Sequence, residues 1–426
     1  MKRNFKVGVT SEFGKLNGVI LHTPGIEVEE MTPATAKRAL YSDILNLSVA
    51  REEYRQLKGV LEQFCTCFEV KDLLTDILKE DGVREGLIQE ICLSEHAADI
   101  LPYLQEMDPR SLAVQLVQGV PLVRNNLTKH LSAERFSLWP LHNFLFTRDA
   151  SMALGDEVVI GKMANKVRDR EALIMKSIFL NHPHIEAKIL NPAKSAFPGA
   201  VEDPALTVEG GDFLVLRDDV LIVGCGSRTT SSGIDFVLES VKHNNEKLRH
   251  VFVQELPDKP ESFIHLDMVF TLLDRDSCLV YEPLILGTNR FRTIHIQIEN
   301  GEVIRIAEEK NLLRAIKKHT GIDLKPSYCG GRKDSWIQER EQWHSGANFF
   351  AFAPGQVIGY ERNVHTIDEL SKQGYEIIRA QDVIADRTSV NPGEKCVVTI
   401  AGSELARGGG GARCMTMPFA REPVEW

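Results

Sequence analysis

Two periodicities divide the chain. Between residues 72 and 136 the apolar positions recur at helical spacing. In "REGLIQEICL", Leu87, Ile88 and Ile91 share one helical face. In "MDPRSLAVQLVQG", Asp108 reads as an N-cap, Pro109 opens the first turn and Gly119 is a stop signal. Elsewhere the spacing is that of strands. "NGVILHTPG", "SMALGDEVVIGKM", "FLVLRDDVLIVGCG", "VFTLLDRDSCLVYEP" and "FFAFAPGQVIGYERN" recur along the chain. Apart from the half-copy at the start, each is two apolar runs joined by a tight polar turn, which is a hairpin signal. Helical stretches follow several copies ("RDREALIMKSIFL", "SGIDFVLESV", "TIDELSKQG"), and a short strand then closes the unit ("IEAKIL", "RHVFVQEL", "YEIIRA"). The middle three copies recur about every 60 residues, within propeller range. A hairpin, a helix and a strand cannot bury both sheet faces alone, whereas five such units around an axis can. The pattern therefore predicts an α/β protein. Five ββαβ units would form a ring from residues 1–71 and 137–426, with 72–136 inserted as a helical bundle.

Composition narrows the class. The chain is 426 residues long, 43% hydrophobic and 26% charged, with a net charge of −10, and no basic stripe for nucleic acid stands out. No apolar run approaches the roughly 18 residues of a membrane helix. The start, "MKRNFKVGVTSEFGK", is basic but has no apolar core of a signal peptide. Eight cysteines without a paired CxxC spacing suggest reduced thiols and a cytoplasmic protein.

In a ring, chemistry should gather at the axis, and unusual polar groups do fall at unit boundaries. They are "NFLFTRD" (Asn143 to Asp149), "VEGGD" (Glu209 to Asp212), "IHLD" (His265, Asp267) and the glycine tract Gly408–Gly411 before Cys414. Strand alternation would place His265 and Asp267 on one face among apolar neighbours, where they must be satisfied or functional. Taken singly, "EGGD" reads as a glycine bend, "FTRD" as a local ion pair and a lone cysteine as a small packed hydrophobe. Cys65, Cys67, Cys92, Cys225, Cys278 and Cys396 fit that last description. Cys414 does not, because packing alone needs no glycines beside it. Glycines let backbone approach a ligand, so the tract reads as a loop over a substrate presenting a thiol.

The stretches "VTSEFGKLNGVILHTPG", "NFLFTRD", "VEGGDF", "HLDMVFT", "REQWHSGANFFAFAPGQVIGYERN" and "RCMTMPFAREPVEW" together closely resemble the arginine deiminase family. The resemblance runs nearly end to end. It implies the pentein fold, a five-fold pseudosymmetric α/β propeller with a helical insertion. It also implies hydrolysis of L-arginine to L-citrulline and ammonia, with no metal or cofactor. Chemistry agrees with the resemblance. A guanidinium carbon is a poor electrophile, and a soft thiolate such as that of Cys414 splits the reaction through a covalent step. Ammonia leaves only if protonated, which suits His265 as acid and then as base for water. Asp149 and Asp267 would clamp the planar cation, and Glu209 would hold a guanidino nitrogen or keep His265 protonated. By motif match Asn143, Arg168 and Arg228 fall on the family's α-carboxylate site, with Phe146 and Gly408 also against substrate. Without the resemblance the two arginines read as a solvated helix start.

Two departures stand out. Gly409 replaces a long side chain, often arginine, that can touch the catalytic cysteine in the family, although Arg407 is nearby. The segment 381–401 is longer than expected and would alter a lid over the substrate. The alternatives are another pentein guanidino enzyme (a dihydrolase, a methylarginine hydrolase or an amidinotransferase), a cysteine peptidase using Cys414 and His265, and a metal-binding protein using His265, Asp267 and Cys414. The expected partner is a small guanidino compound, with self-association left open.

Overall fold

Every hairpin predicted from the apolar runs is present in the computed structural model, which describes residues 4–192, 206–244 and 247–426. The basic residues Lys2 and Arg3 at the start lie outside that range. The architecture is mixed α/β. Five sheets share one pairing rule: a central strand has an antiparallel partner on one side and a parallel strand on the other. The central strands are Leu16–Leu21, Glu157–Ile160, Val220–Cys225, Ser277–Val280 and Gln356–Tyr360. They are nearly continuous apolar runs because both of their faces are covered. The opening half-copy is completed by the other end of the chain, since Leu16–Leu21 pairs with Met417–Arg421. That closure brings Cys414, three residues before the last strand, into the middle of the protein.

The helical stretch behaves as its spacing requires. Leu87, Ile88 and Ile91 are buried on helix Asp81–Ser94. Asp108 accepts from the backbone N–H groups of Arg110 and Ser111 to cap helix Pro109–Gln118, and Gly119 ends it at φ 85°. The stretch also contains a small ladder between Val120–Pro121 and Phe136–Leu138. Its buried side chains join one core with Phe5, Val9 and Phe419.

Three expectations need correction, and one hairpin was not anticipated. His265 and Asp267 do not alternate on a strand. His265 is extended, but Leu266–Met268 is a turn of 3-10 helix, in which Leu266 N–H bonds to the Asp212 carboxylate at 2.9 Å. In the last sheet, Glu376–Arg379 does not pair with Gln356–Tyr360. Cys396–Ile400 takes that place and leaves Glu376–Arg379 at the edge. The reason is burial: CVVTI is apolar and wholly buried, whereas EIIR is mostly exposed. The segment 381–401 is therefore no lid. It supplies helix Ala380–Ile384 and this central strand, and none of it lines the cavity described below. Finally, a further hairpin, Thr293–Glu299 with Glu302–Glu309, extends the third sheet. Its Asn300-Gly301 turn has both φ angles positive, a hairpin signal that the apolar repeat obscured.

Candidate active site

The glycine tract is a packed turn, not a slack one. A short 3-10 helix, Leu405–Gly408, is closed by Gly409 at φ 82°, a left-handed conformation that suits glycine. A Cβ on Gly410 would stand 2.4 Å from the Phe146 ring, and one on Gly411 would stand 2.7 Å from the Asn348 carbonyl. Close approach thus accounts for two of the glycines. Arg407 pairs with Asp43 at 2.6 Å and Glu404 at 3.1 Å.

Cys414 follows, 4% exposed. Asn348 holds it in place. The Asn348 Oδ1 accepts from the backbone N–H groups of Arg413 (3.0 Å) and Cys414 (3.1 Å). Its Nδ2 donates to the Asp267 carbonyl and to Cys414 Sγ, each at 3.1 Å. The thiol also contacts the Asp267 carboxylate at 3.7 Å. Asp267 in turn bonds Arg413 Nη1 at 2.8 Å, and Arg413 Nε donates to Glu12 at 3.0 Å. Burial opposes the Arg413 charge, but Glu12 and Asp267 override it and raise its pKa. Burial, and then the carboxylates of Asp267 and Asp149, push the Cys414 thiol well above its ordinary value.

The "EGGD" bend exists for His265. A Cβ on Gly211 would lie 2.6 Å from the His265 ring, and one on Gly210 would lie 2.0 Å from the Arg148 carbonyl. The bend sets Glu209 Oε2 2.9 Å from His265 Nε2, while Asp149 Oδ1 lies 3.6 Å from Nδ1. Burial alone would discharge this imidazole. The Asp149 charge and the Glu209 hydrogen bond outweigh it and raise His265 to about 9. Burial likewise opposes the Glu209 charge, but the His265 hydrogen bond and the Arg228 guanidinium, 3.6 Å away, hold it at about 2.

A cavity of about 390 Å³ opens onto these groups. Of the ten residues singled out in the sequence, Asn143, Phe146, Asp149, Arg168, Arg228, His265, Gly408 and Cys414 line it. Glu209 and Asp267 lie behind the wall, fully buried, against His265 and Cys414 respectively. Arg168 is not a solvated helix start. It is 4% exposed and donates to Asp149, to Glu171 at 2.8 Å and to the Phe146 carbonyl at 3.1 Å. Asp149 Oδ1 is buried and without a hydrogen-bond partner in the structure, so a donor entering the cavity finds an open acceptor. Asp149, Glu209 and His265 are close enough to share a cation. A metal there would compete with the proton on His265 and with the guanidinium groups of Arg168 and Arg228, so the set fits a guanidinium better than a metal.

Asn348, Arg413, Glu12 and Glu171 complete the site and were not singled out in the sequence. Asn348 stands in "SGANFF" beside an apolar run, and Arg413 directly precedes the cysteine. A polar residue embedded in apolar sequence was the available signal.

Comparison with known proteins finds relatives over nearly the whole chain. The arginine deiminase family model matches residues 37–421. An arginine deiminase from Listeria innocua is 31% identical, with 97% of this chain and 98% of that one covered. One from Bacillus cereus is 31% identical over 98% of this chain and 99% of that one. Among solved structures, the amidinotransferase SxtG of Microseira wollei superposes with a TM-score of 0.53 at 14% identity, covering 98% of each chain. The N-terminal domain of ArgZ, a cyanobacterial arginine dihydrolase, gives 0.52 at 14% identity over 96% of this chain and 98% of that one. These neighbours share the fold.

Proposed function

Because the chain belongs to the arginine deiminase family, we propose that it hydrolyses L-arginine to L-citrulline and ammonia with Cys414 as the covalent nucleophile. The observation that carries this reading is one cavity holding a thiol, a protonated imidazole and the open carboxylate oxygen of Asp149. Before substrate arrives the thiol keeps its proton because burial, and then the two carboxylates that face it, disfavour the thiolate. An arriving guanidinium on Asp149 supplies the missing positive charge and lowers the thiol pKa, so the thiol gives its proton to solvent and the substrate itself releases the nucleophile.

The thiolate adds to the guanidinium carbon and gives a neutral tetrahedral adduct. His265 gives its proton to one terminal nitrogen, the C–N bond breaks, ammonia leaves and a cationic thiouronium remains on Cys414. The neutral His265 then takes a proton from water as the oxygen adds to the carbon. Collapse breaks the C–S bond, restores the thiolate and releases citrulline once the oxygen loses its proton. Asp267, behind the sulfur, stabilises the cationic states, and Glu209 keeps His265 charged until it acts. Asn143, Phe146, Arg228 and Gly408 would hold the rest of the substrate. Arg168 would reach its α-carboxylate with most of its donors already bonded within the protein.

Three finer readings accompany the activity. The five sheets with a common pairing rule support a five-fold propeller. The helices between residues 72 and 136 support an inserted bundle carried by the units 1–71 and 137–426. The free thiols of the eight cysteines support a reducing, cytoplasmic setting. The reaction is tested by assaying citrulline, ornithine and ammonia with a panel of guanidino compounds. Citrulline and ammonia in equal amounts from arginine support it. Ornithine as the product, or turnover only with an amine acceptor, would replace it by one of the other guanidino reactions.

A further inference from the structure

The hairpin that extends the third sheet assembles a second cluster of side chains, and none of them lines the catalytic cavity. His250 comes from strand His250–Glu255, His295 from Thr293–Glu299, Glu309 from Glu302–Glu309 and His319 from helix Leu312–Thr320. Register explains the meeting. His295 pairs with Phe252 and Thr293 with Glu309, so alternation puts His250, His295 and Glu309 on one face. Helix Leu312–Thr320 brings His319 onto that face, where its ring stacks on His295 with centroids 3.8 Å apart. His319 Nε2 lies 2.7 Å from Glu309 Oε1, and His250 Nδ1 lies 3.0 Å from His295 Nε2. One donor atom each from His295, Glu309 and His319 lies within 4.8 Å of the others. His295 is fully buried, and its Nδ1 has no hydrogen-bond partner in the structure.

We propose that His295, Glu309 and His319 bind one zinc-type divalent transition-metal ion, with His250 as a positioning residue. Two imidazoles and a carboxylate form a donor set suited to zinc and leave a fourth position for water. Magnesium and calcium prefer all-oxygen cages and are poor candidates. An unpartnered buried nitrogen is costly, which a metal-free cluster leaves unrelieved. His250 bonds the ring of His295, as outer residues do around metal-bound histidines, and fixes its orientation. The route in is open, because the His319 and Glu309 side chains keep 12% and 10% of their surface exposed. The competing cation is Lys318, whose Nζ touches Glu309 at 2.8 Å. Its side chain is 57% exposed and can return to water at small cost. The ion would tie helix Leu312–Thr320 to the outer hairpin and serve a structural role remote from the chemistry.

The test uses full-length protein loaded with zinc chloride, dialysed and analysed for metal, with affinity measured by titration calorimetry. Wild type is expected to retain one zinc per chain. His319→Ala and the near-isosteric Glu309→Gln should lose it while arginine hydrolysis and circular dichroism stay unchanged. His250→Ala should keep the stoichiometry but bind about 10- to 100-fold more weakly. Absence of zinc from wild type would overturn the proposal. So would equal zinc retention by wild type and both ligand variants, particularly with loss of hydrolysis, which would place the ion at Asp149, Glu209 and His265.

Discussion

Arg168 donates from Nη1 to Asp149 Oδ2 at 2.6 Å, so a guanidinium of the protein already lies on the carboxylate that would receive the guanidinium of the substrate. Motif matching put these residues at opposite ends of the ligand. In the structure they form one buried pair, completed by Glu171. Glu171 shows the strain: burial, only partly offset by Arg168, pushes it up to about 7.

Arg168 and Arg228 should therefore behave differently. Arg168→Ala leaves two buried carboxylates without their cation, a change that typically costs about 3–5 kcal/mol. It is expected to lower Tm and to reduce kcat as Asp149 loses its position. Arg228→Ala removes a less buried contact worth about 1.5–3 kcal/mol, so KM should rise roughly ten- to hundredfold with Tm little changed. Agmatine, which lacks the carboxylate, should be a poor substrate for wild type and lose little further in Arg228→Ala. Equal use of arginine and agmatine by wild type would remove Arg228 from the carboxylate site.

Cys414, the proposed nucleophile, should be sluggish towards alkylation in the substrate-free enzyme. Its raised pKa leaves little thiolate at neutral pH, so the iodoacetamide rate should rise about tenfold per pH unit between pH 6 and 8. A pH-independent rate would mean a standing thiolate and contradict activation by substrate. Cys414→Ala should abolish citrulline formation and leave the circular dichroism spectrum intact.

His265 sets an alkaline limit. Its folded value of about 9 lies above the ordinary 6.5, so kcat/KM should fall as pH passes 9 and the general acid is lost. The same shift contributes stability that is complete below pH 6.5 and lost as pH rises through 9. Glu209→Gln removes an anion that supports the proton, so the alkaline limb should move to lower pH. A limb that stays in place would assign it to another group.

Asn348 positions the thiol through hydrogen bonds to Cys414 Sγ and to the backbone N–H groups of Arg413 and Cys414. Asn348→Ala should lower kcat by about a hundredfold, the scale of a small misplacement of a reacting atom, with a smaller change in KM. Wild-type kcat would show that the Cys414 loop holds its shape alone.

Gly411→Ala should resemble that variant, because its Cβ would press the Asn348 carbonyl. A Cβ on Gly409 meets nothing within 4 Å, so Gly409→Ala should cost about 1–2 kcal/mol through its left-handed backbone and spare kcat. Parallel losses in the two would mean that backbone strain, not contact, governs the loop.

Much of this protein is written in local periodicity. The hairpins at 151–160, 213–225, 270–280 and 350–360 and the helix caps at Asp108 and Gly119 depend on neighbours a few residues apart, and the sequence reading of them agrees with the structure. Eight of the ten candidate residues share a cavity: Asp149, His265 and Cys414 stand at unit boundaries, where polar groups interrupt apolar runs, while Arg168 and Arg228 were legible only through the family resemblance. Pairing between distant segments was not legible. Cys396–Ile400 and Glu376–Arg379 both read as strands, and only packing on both faces decides which is central. "IHLD" alternates like a strand, yet the bond from Leu266 N–H to Asp212, 54 residues away, coils it into a turn. The site electrostatics belong to the same class. The charge on His265, the proton on Cys414 and the pairing of Arg168 with Asp149 are set by burial and by partners remote in sequence. Residue types therefore name the chemistry, while desolvation and distance decide which group carries the proton.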